Sequence, residues 1–150
     1  MKKFTLLVVL LVSSVSFAQG LDKNGVEIGR AQQFGAAVEA QLTKNDDVYK
    51  ISFRDSKFTT IDNYENFTFN EADGNLDKLY EIVQKGFEEM PKDAVLIPFA
   101  NKTAYIKFTR LVGMKVILFT ATLTDDRNSE LIIGNLIAKK QVEKLFGKKK

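Results

Sequence analysis

The side chains left for catalysis in this chain are mainly carboxylates. The sequence contains no cysteine and no histidine, which excludes thiol and imidazole nucleophiles, haem ligation by histidine and the common zinc sites. No serine begins a Ser-x-x-Lys motif, and the nine glycines are scattered rather than grouped in a phosphate-binding loop. Two carboxylates can serve as acid and base in glycoside hydrolysis when they face each other across a cleft. The candidates for such a pair are Asp55, Asp62, Glu65, Asp125 and Asp126.

These carboxylates lie in stretches with the composition of loops and turns. Asp62 and Glu65 fall in a polar stretch, and Asp125 and Asp126 are adjacent. Aspartate in such turns commonly hydrogen-bonds its own backbone. The chain also has no tryptophan, the aromatic side chain with the largest face for stacking on a sugar. A non-enzymatic protein is therefore the favoured interpretation, and a small glycosidase-like hydrolase that uses paired carboxylates is the alternative.

Two acidic segments, 70–75 and 125–128, have the oxygen-rich composition of a calcium loop. The EF-hand spacing fails in the first segment, because placing Gly74 at the sixth position puts Phe69 at the first. In the second segment Arg127 lies among the candidate ligands. A turn or a helix cap is the expected structure for both segments, and no metal site, cofactor or catalytic residue is predicted.

A binding surface is easier to derive from this sequence than an active site. Along residues 103–110, apolar side chains alternate with polar or aromatic ones, which places the second group on the outward face of a strand. An aromatic ring with neighbouring cations can contact an anionic glycan or a partner, although the same row is typical of the solvated side of a sheet. Tyr64, in a polar stretch, is expected to be partly exposed. The candidate binding residues are Tyr64, Tyr105, Lys107, Thr109 and Arg110.

Two helices are predicted, and the first is the clearest element of the chain. Over residues 76–90, apolar side chains recur at steps of three and four and form one stripe, which Pro91 ends. Over 139–146, a short helix carries three apolar residues and stops at Gly147. The stripe of the first helix is wide enough to pack against a sheet.

Several segments have the composition and alternation of β-strands. The run 116–123 is apolar on both faces, which predicts a central strand that is covered on both sides. Residues 20–44 are ambiguous between helix and strand. There, Phe34, Val38 and Leu42 are spaced by four and favour a helix over 31–42, although Gly35 weakens it. The strand predictions are 26–28, 49–54, 58–61, 66–70, 94–99, 103–110, 116–123 and 131–137.

Consecutive strands with short connections predict antiparallel pairing. The predicted fold class is therefore α+β, an antiparallel β-sheet of about five or six strands packed by one long amphipathic helix (76–90), with a short C-terminal helix (139–146).

The N-terminus has the pattern of a cleaved secretory signal peptide. Two lysines are followed by an apolar run over 4–12, and Ser16 and Ala18 place small residues at the −3 and −1 positions of a cleavage site before Gln19. The run is too short for the roughly 20 residues that span a bilayer. We expect removal of residues 1–18, a single domain over 19–150 with no transmembrane helix, and a periplasmic or secreted bacterial protein.

Loss of the signal peptide also removes most of the apparent basic character. The chain has 22 Lys+Arg against 19 Asp+Glu, and without Lys2 and Lys3 the count is 20 against 19. Because nucleic-acid binding needs clustered cations on one face, no such partner is expected. The predicted function is a non-enzymatic binding module of the bacterial cell envelope, with an envelope protein, a lipid or an anionic glycan as partner. A structural role in a larger envelope assembly is a further option if the strand over 116–123 is exposed.

Overall fold

The computed structural model describes residues 20–33 and 35–149. The predicted signal peptide over 1–18 and the side chain of Phe34 lie outside these residues. The described part of the chain forms nine strands, two α-helices and one short 3₁₀ helix, Ala72–Gly74. The strands are β1 (Val26–Gln32), β2 (Val38–Asn45), β3 (Val48–Arg54), β4 (Tyr64–Asn70), β5 (Val95–Leu96), β6 (Ala104–Leu111), β7 (Met114–Thr122), β8 (Leu131–Ile133) and β9 (Ile137–Ala138), and the helices are α1 (Asn75–Glu89) and α2 (Lys139–Leu145).

The prediction of a mixed α+β fold with antiparallel pairing is confirmed, but the strands form two sheets instead of one. The first sheet has the order β1-β2-β3-β4, and the second has the order β5-β6-β7-β8 with β9 also paired to β7. All of these pairs are antiparallel. In the chain, α1 connects the first sheet to the second. None of the described helices is long and apolar enough to span a bilayer.

Of the two alternatives left open for residues 20–44, the structure has strands, and the helix that the spacing favours over 31–42 does not form. Ala31 belongs to β1 and pairs with Ala40 of β2, and the connection between the two strands turns at Gly35, where φ is 73°. A spacing of four fits a strand as well as a helix, because side chains two and four positions apart share one face of a strand. Val38, Ala40 and Leu42 are buried on that shared face.

Three other strand predictions differ from the structure. The segment 58–61 is not a strand but an irregular loop in which Phe58 and Ile61 are exposed. The predicted strand over 94–99 is reduced to the two residues of β5, and the one over 131–137 is divided into β8 and β9 at an isolated bridge residue, Gly134.

The buried apolar side chains of both sheets and both helices form one cluster. Three phenylalanine rings join the sheets, with Phe119 of β7 centred 6.2 Å from Phe53 and 6.0 Å from Phe67. Ring pairs at these distances add to the energy of burial. In α1, Leu79, Val83 and Phe87 are buried. Because these positions follow the helical period, the stripe seen in the sequence identifies the side of α1 that faces the core.

Gly86 allows α1 to approach β6 closely. A Cβ atom at this position would lie 2.0 Å from Cζ of Phe108, so only glycine fits without moving the ring. The next residue, Phe87, makes an edge-to-face contact with the same ring, with the centroids 5.6 Å apart. Glycine lowers the intrinsic stability of the helix, and here it makes room for a core aromatic.

The two sheets are joined by backbone and ionic contacts at their margins. Asp55, which follows β3, forms an antiparallel bridge with Gly134 of the second sheet. On β4, the backbone of Thr68 exchanges two 2.8 Å hydrogen bonds with the backbone N–H and side-chain Oδ1 of Asn101. Beside them, Lys102 and Glu65 form a buried ion pair with a 2.5 Å separation. These contacts direct one side of the second sheet away from the core.

Candidate functional site

The candidate site is the side of the second sheet that faces away from the core. On β6, Ala104, Ile106 and Phe108 are buried, while the alternate side chains are partly exposed. Because successive side chains of a strand point to opposite faces, Tyr105, Lys107 and Thr109 lie together on the outward side.

Neighbouring strands place apolar side chains beside these three residues. Tyr105 pairs with Leu96 of β5 on one side and with Thr120 of β7 on the other, and Thr120 in turn pairs with Ile133 of β8. Further along, Lys107 pairs with Leu118. Directly opposed residues on antiparallel strands present their side chains to the same face. We call this surface the outer face and define it as Leu96, Tyr105, Lys107, Thr109, Leu111, Met114, Leu118, Thr120 and Ile133.

The outer face is largely apolar and partly open to solvent, although Val116, which lies on the same side of β7 opposite Thr109, is only 3% exposed. Leu96 is 49% exposed, Ile133 is 48% exposed and Met114 is 56% exposed. The expectation that the run 116–123 is covered on both sides is wrong at Leu118 and Thr120, which are partly exposed. Sequence analysis missed this surface because its apolar members come from four strands whose alignment depends on register. Exposed apolar patches of this kind mark interaction sites more often than isolated apolar residues do.

Lys107 provides a positive charge on the outer face. Its Nζ donates a hydrogen bond to the backbone oxygen of Lys92, which follows α1. Arg110 is exposed but lies on the other side of the strand, opposite Lys115 of β7. The structure therefore brings three of the five predicted binding residues together, and Arg110 is close to them in the chain but not on the same face.

Tyr64 does not belong to the outer face. The prediction that it is partly exposed is wrong. It is only 4% exposed, and its hydroxyl donates a 2.9 Å hydrogen bond to the backbone oxygen of Val38. Burial raises the pKa of the phenol. The physical reason is that β4 begins at Tyr64 itself and not at Asn66, so the stretch that looks like a polar loop already belongs to the first sheet.

The candidate catalytic carboxylates make contacts typical of structural residues. Asp55 is buried and accepts a 2.9 Å hydrogen bond from the backbone N–H of Lys57. Glu65 is paired with Lys102, and Asp62 lies 3.5 Å from Arg54. Asp126 accepts the backbone N–H of Asn128 at 2.9 Å, as expected for an aspartate in a turn. Over residues 20–33 and 35–149, no group of three acidic, histidine or cysteine side chains is arranged to hold a metal ion.

Two open cavities flank the connection between β5 and β6. One, of about 250 Å³, is polar, and its lining includes Asn101, Lys102, Asp125 and Arg127. The other, of about 420 Å³, lies against α1 and is bounded by Ile82 and Phe99 among others. Asp125 is the one candidate carboxylate that lines either cavity, and Lys102 and Arg127 line the same cavity.

Comparison of the chain with protein-family models, with curated proteins and with solved structures gave no match. The functional inference therefore depends on the chemistry of the surfaces described above.

Proposed function

We propose that this protein is a small exported, non-enzymatic binding module of the bacterial cell envelope, periplasmic or secreted, and that the outer face is its binding surface. The observation that carries the proposal is the exposure of Leu96, Met114 and Ile133 on one side of a regular sheet. Release of water from such a patch favours association, at about 25 cal/mol for each Å² of apolar surface buried.

The chemistry of the outer face restricts the partner. Its apolar side chains surround one cation, Lys107, and one aromatic side chain with a polar tip, Tyr105. An amphipathic anion meets both requirements, since its apolar part covers the leucines and isoleucine while its charge lies near Lys107. An envelope protein with an acidic, apolar surface and a lipid with an anionic headgroup meet this description, and an anionic glycan, the third partner class, would contact Tyr105 and Lys107 only. The signal-peptide pattern over 1–18 supports the assignment to the envelope.

The alternative, a hydrolase with paired carboxylates, has less support. Such an enzyme needs two carboxylates across a cleft, one of them free to donate a proton. Glu65 forms an ion pair with Lys102, and Asp55 accepts a hydrogen bond from the backbone of its own turn. The contacts of these two residues support a role in joining the two sheets.

A cross-linked pull-down from envelope extract of the source organism tests the proposal. We expect Tyr105→Ala and Lys107→Glu each to reduce the captured material about fivefold or more, because residues at the centre of an interface cost more than about 1 kcal/mol when removed. Lys23→Glu, which reverses an exposed lysine before β1, is the control for net charge and should capture as much as wild type.

Two results would contradict the proposal. One is equal capture by wild type and both outer-face variants. The other is hydrolysis of an envelope glycan that disappears in Asp62→Asn or Asp125→Asn while the variant stays folded, which would favour the enzyme.

A further inference from the structure

The hairpin that joins β6 and β7 ends in an exposed apolar tip. Leu111 and Met114 form the last pair of the two strands, and Val112 and Gly113 make the turn between them. Val112 is 94% exposed, and its neighbours Leu111 and Met114 are 46% and 56% exposed. We call these four residues the hairpin tip. Three large apolar side chains thus project together at one end of the outer face.

The residue at the centre of the tip is poorly suited to its backbone conformation. Both turn residues have positive φ, 49° at Val112 and 79° at Gly113. Two-residue hairpin turns of this kind strongly prefer asparagine, aspartate or glycine at the first position, and a β-branched side chain there is strained. The turn would form more readily with a polar residue. Folding therefore gives no reason for valine at this position, whereas contact with an apolar partner does.

The charged side chains of the β6–β7 hairpin are all positive, whereas α1, which contacts Lys115 through Phe87, ends in the exposed Glu88 and Glu89. Residues 94–124 contain four cations, Lys102, Lys107, Arg110 and Lys115, and no carboxylate. Arg110 and Lys115 form the strand pair next to the tip. Lys115 Nζ lies 2.6 Å from the backbone oxygen of Phe87, and Lys139 Nζ lies 5.8 Å from the centre of the Phe87 ring, which brings a further cation to this end of the molecule.

From this arrangement we propose that the hairpin tip inserts into the surface of an anionic phospholipid bilayer. The inference rests on the proposed function and names its partner. Leu111, Val112 and Met114 enter the boundary between headgroups and acyl chains, where apolar side chains are stabilised. Arg110 and Lys115, one residue behind on each strand, remain at the level of the anionic headgroups, and each cation near such a surface adds to the attraction.

A bilayer fits the tip better than a folded protein does. A narrow projecting turn buries little area against a flat protein surface, whereas a bilayer deforms around each side chain that enters it. Arg110 and Lys115 beside the tip also give attraction to a surface that is negative throughout, without requiring individual ion pairs. The other possible partner is a protein with a pocket that fits the tip, and the test below distinguishes it from a bilayer.

The test is sedimentation with vesicles, using the protein as the cell processes it. We expect binding to vesicles of phosphatidylcholine with phosphatidylglycerol, weaker binding to phosphatidylcholine alone, and weaker binding as salt is added. Val112→Asn should reduce the partition coefficient about tenfold, because it removes the apolar side chain and suits the turn. Arg110→Gln should reduce it about fivefold on anionic vesicles only.

Val26→Asn is the matched control. Val26 is a 74% exposed valine on β1, in the other sheet, and its replacement should leave vesicle binding unchanged. A spectroscopic readout is also available, since the chain has no tryptophan. In Val112→Trp, vesicles should shift the emission to shorter wavelength and brominated lipid should quench it, while Val26→Trp should show neither effect.

Binding that is equal in wild type and Val112→Asn, or equal on neutral and anionic vesicles, would overturn the insertion. So would capture of a protein that depends on Val112 in the absence of vesicle binding. Failure here differs from failure of the proposed function, because in the first case capture from envelope extract still depends on Tyr105 and Lys107, whereas in the second it does not.

Discussion

The two sheets differ in what they present on the side away from the core. The outward side of the first sheet carries polar side chains that are nevertheless buried, Gln41, Thr43 and Ser52 among them. They are covered by the chain itself, since Asp22 lies against Thr43 and Lys50. The outward side of the second sheet carries apolar side chains that are exposed. Buried polar groups and exposed apolar patches are the two departures from ordinary burial that carry information.

The difference indicates on which of the two outward sides a partner would bury apolar surface. On the first sheet, several polar groups find partners within the chain, as Glu27 does with Arg30 and with Gln41 at 2.6 Å, although Gln41 Oε1 and Arg54 Nε are buried without a hydrogen-bond partner among the described residues. On the outer face of the second sheet, burial of Leu96 and Ile133 by a partner would still release water. Binding is therefore expected on the second sheet, and stability is expected to depend more on the first.

The largest effect expected from this comparison is on the free energy of unfolding, and one tyrosine from each sheet tests it. Tyr64→Ala should lower the free energy of unfolding by about 3–5 kcal/mol, because it empties the space of a buried ring. Tyr105→Ala should lower it by about 1 kcal/mol or less, since that side chain is partly exposed. Urea denaturation followed by circular dichroism measures both values.

Tyr64→Phe separates the hydroxyl from the ring and should lose only about 1 kcal/mol, the contribution of the hydrogen bond to Val38. Similar losses in Tyr64→Ala and Tyr105→Ala would show that the two sheets do not differ in the way described.

How far the sequence predicts this molecule can be judged from particular residues. The stripe through Leu79 and Val83 predicts α1 because a helical period is a local property. The spacing of Val38 and Leu42 misleads because four is a repeat of both helix and strand. The row of Tyr105, Lys107 and Thr109 is visible in the sequence because alternation is local too.

The apolar part of the outer face was not predictable in the same way. Leu96 and Ile133 meet the central strands only through their pairing with Tyr105 and Thr120, which lie on the neighbouring strands. Strand register depends on turns and on the burial of the whole face, and neither is set by the residues at positions 96 and 133. The burial of Tyr64 has a similar origin, since it depends on where β4 starts to pair with Arg54.

A change of pH should affect the first sheet specifically. The Asn24 backbone N–H lowers the pKa of Asp22 below its ordinary value of 3.8, burial opposes this, and Lys50 adds to the lowering. A carboxyl whose pKa is lower in the folded state stabilises the fold above the unfolded pKa, and this contribution is lost as the pH falls through the folded pKa.

At pH 7, Asp22→Asn should therefore be less stable than wild type by up to about 1 kcal/mol, and the difference should shrink as the pH falls below 3.8 and through the folded-state pKa. Urea denaturation of both proteins across this range measures it. A difference that stays constant with pH would assign the effect of Asp22 to packing and not to its charge.

The smallest expected effect on stability comes from the second sheet. Ile133→Thr keeps a β-branched side chain suited to a strand and removes apolar surface that is already half exposed. The free energy of unfolding should change by no more than about 0.5 kcal/mol, while fluorescence of the apolar dye ANS on the folded protein should fall. Val26→Thr on β1 is the control, because Val26 is an exposed valine of the other sheet, paired with Lys44 and outside the outer face. If Ile133→Thr instead destabilised the protein by about 2 kcal/mol or more, Ile133 would be a core residue, and the outer face would contribute to folding as the first sheet does.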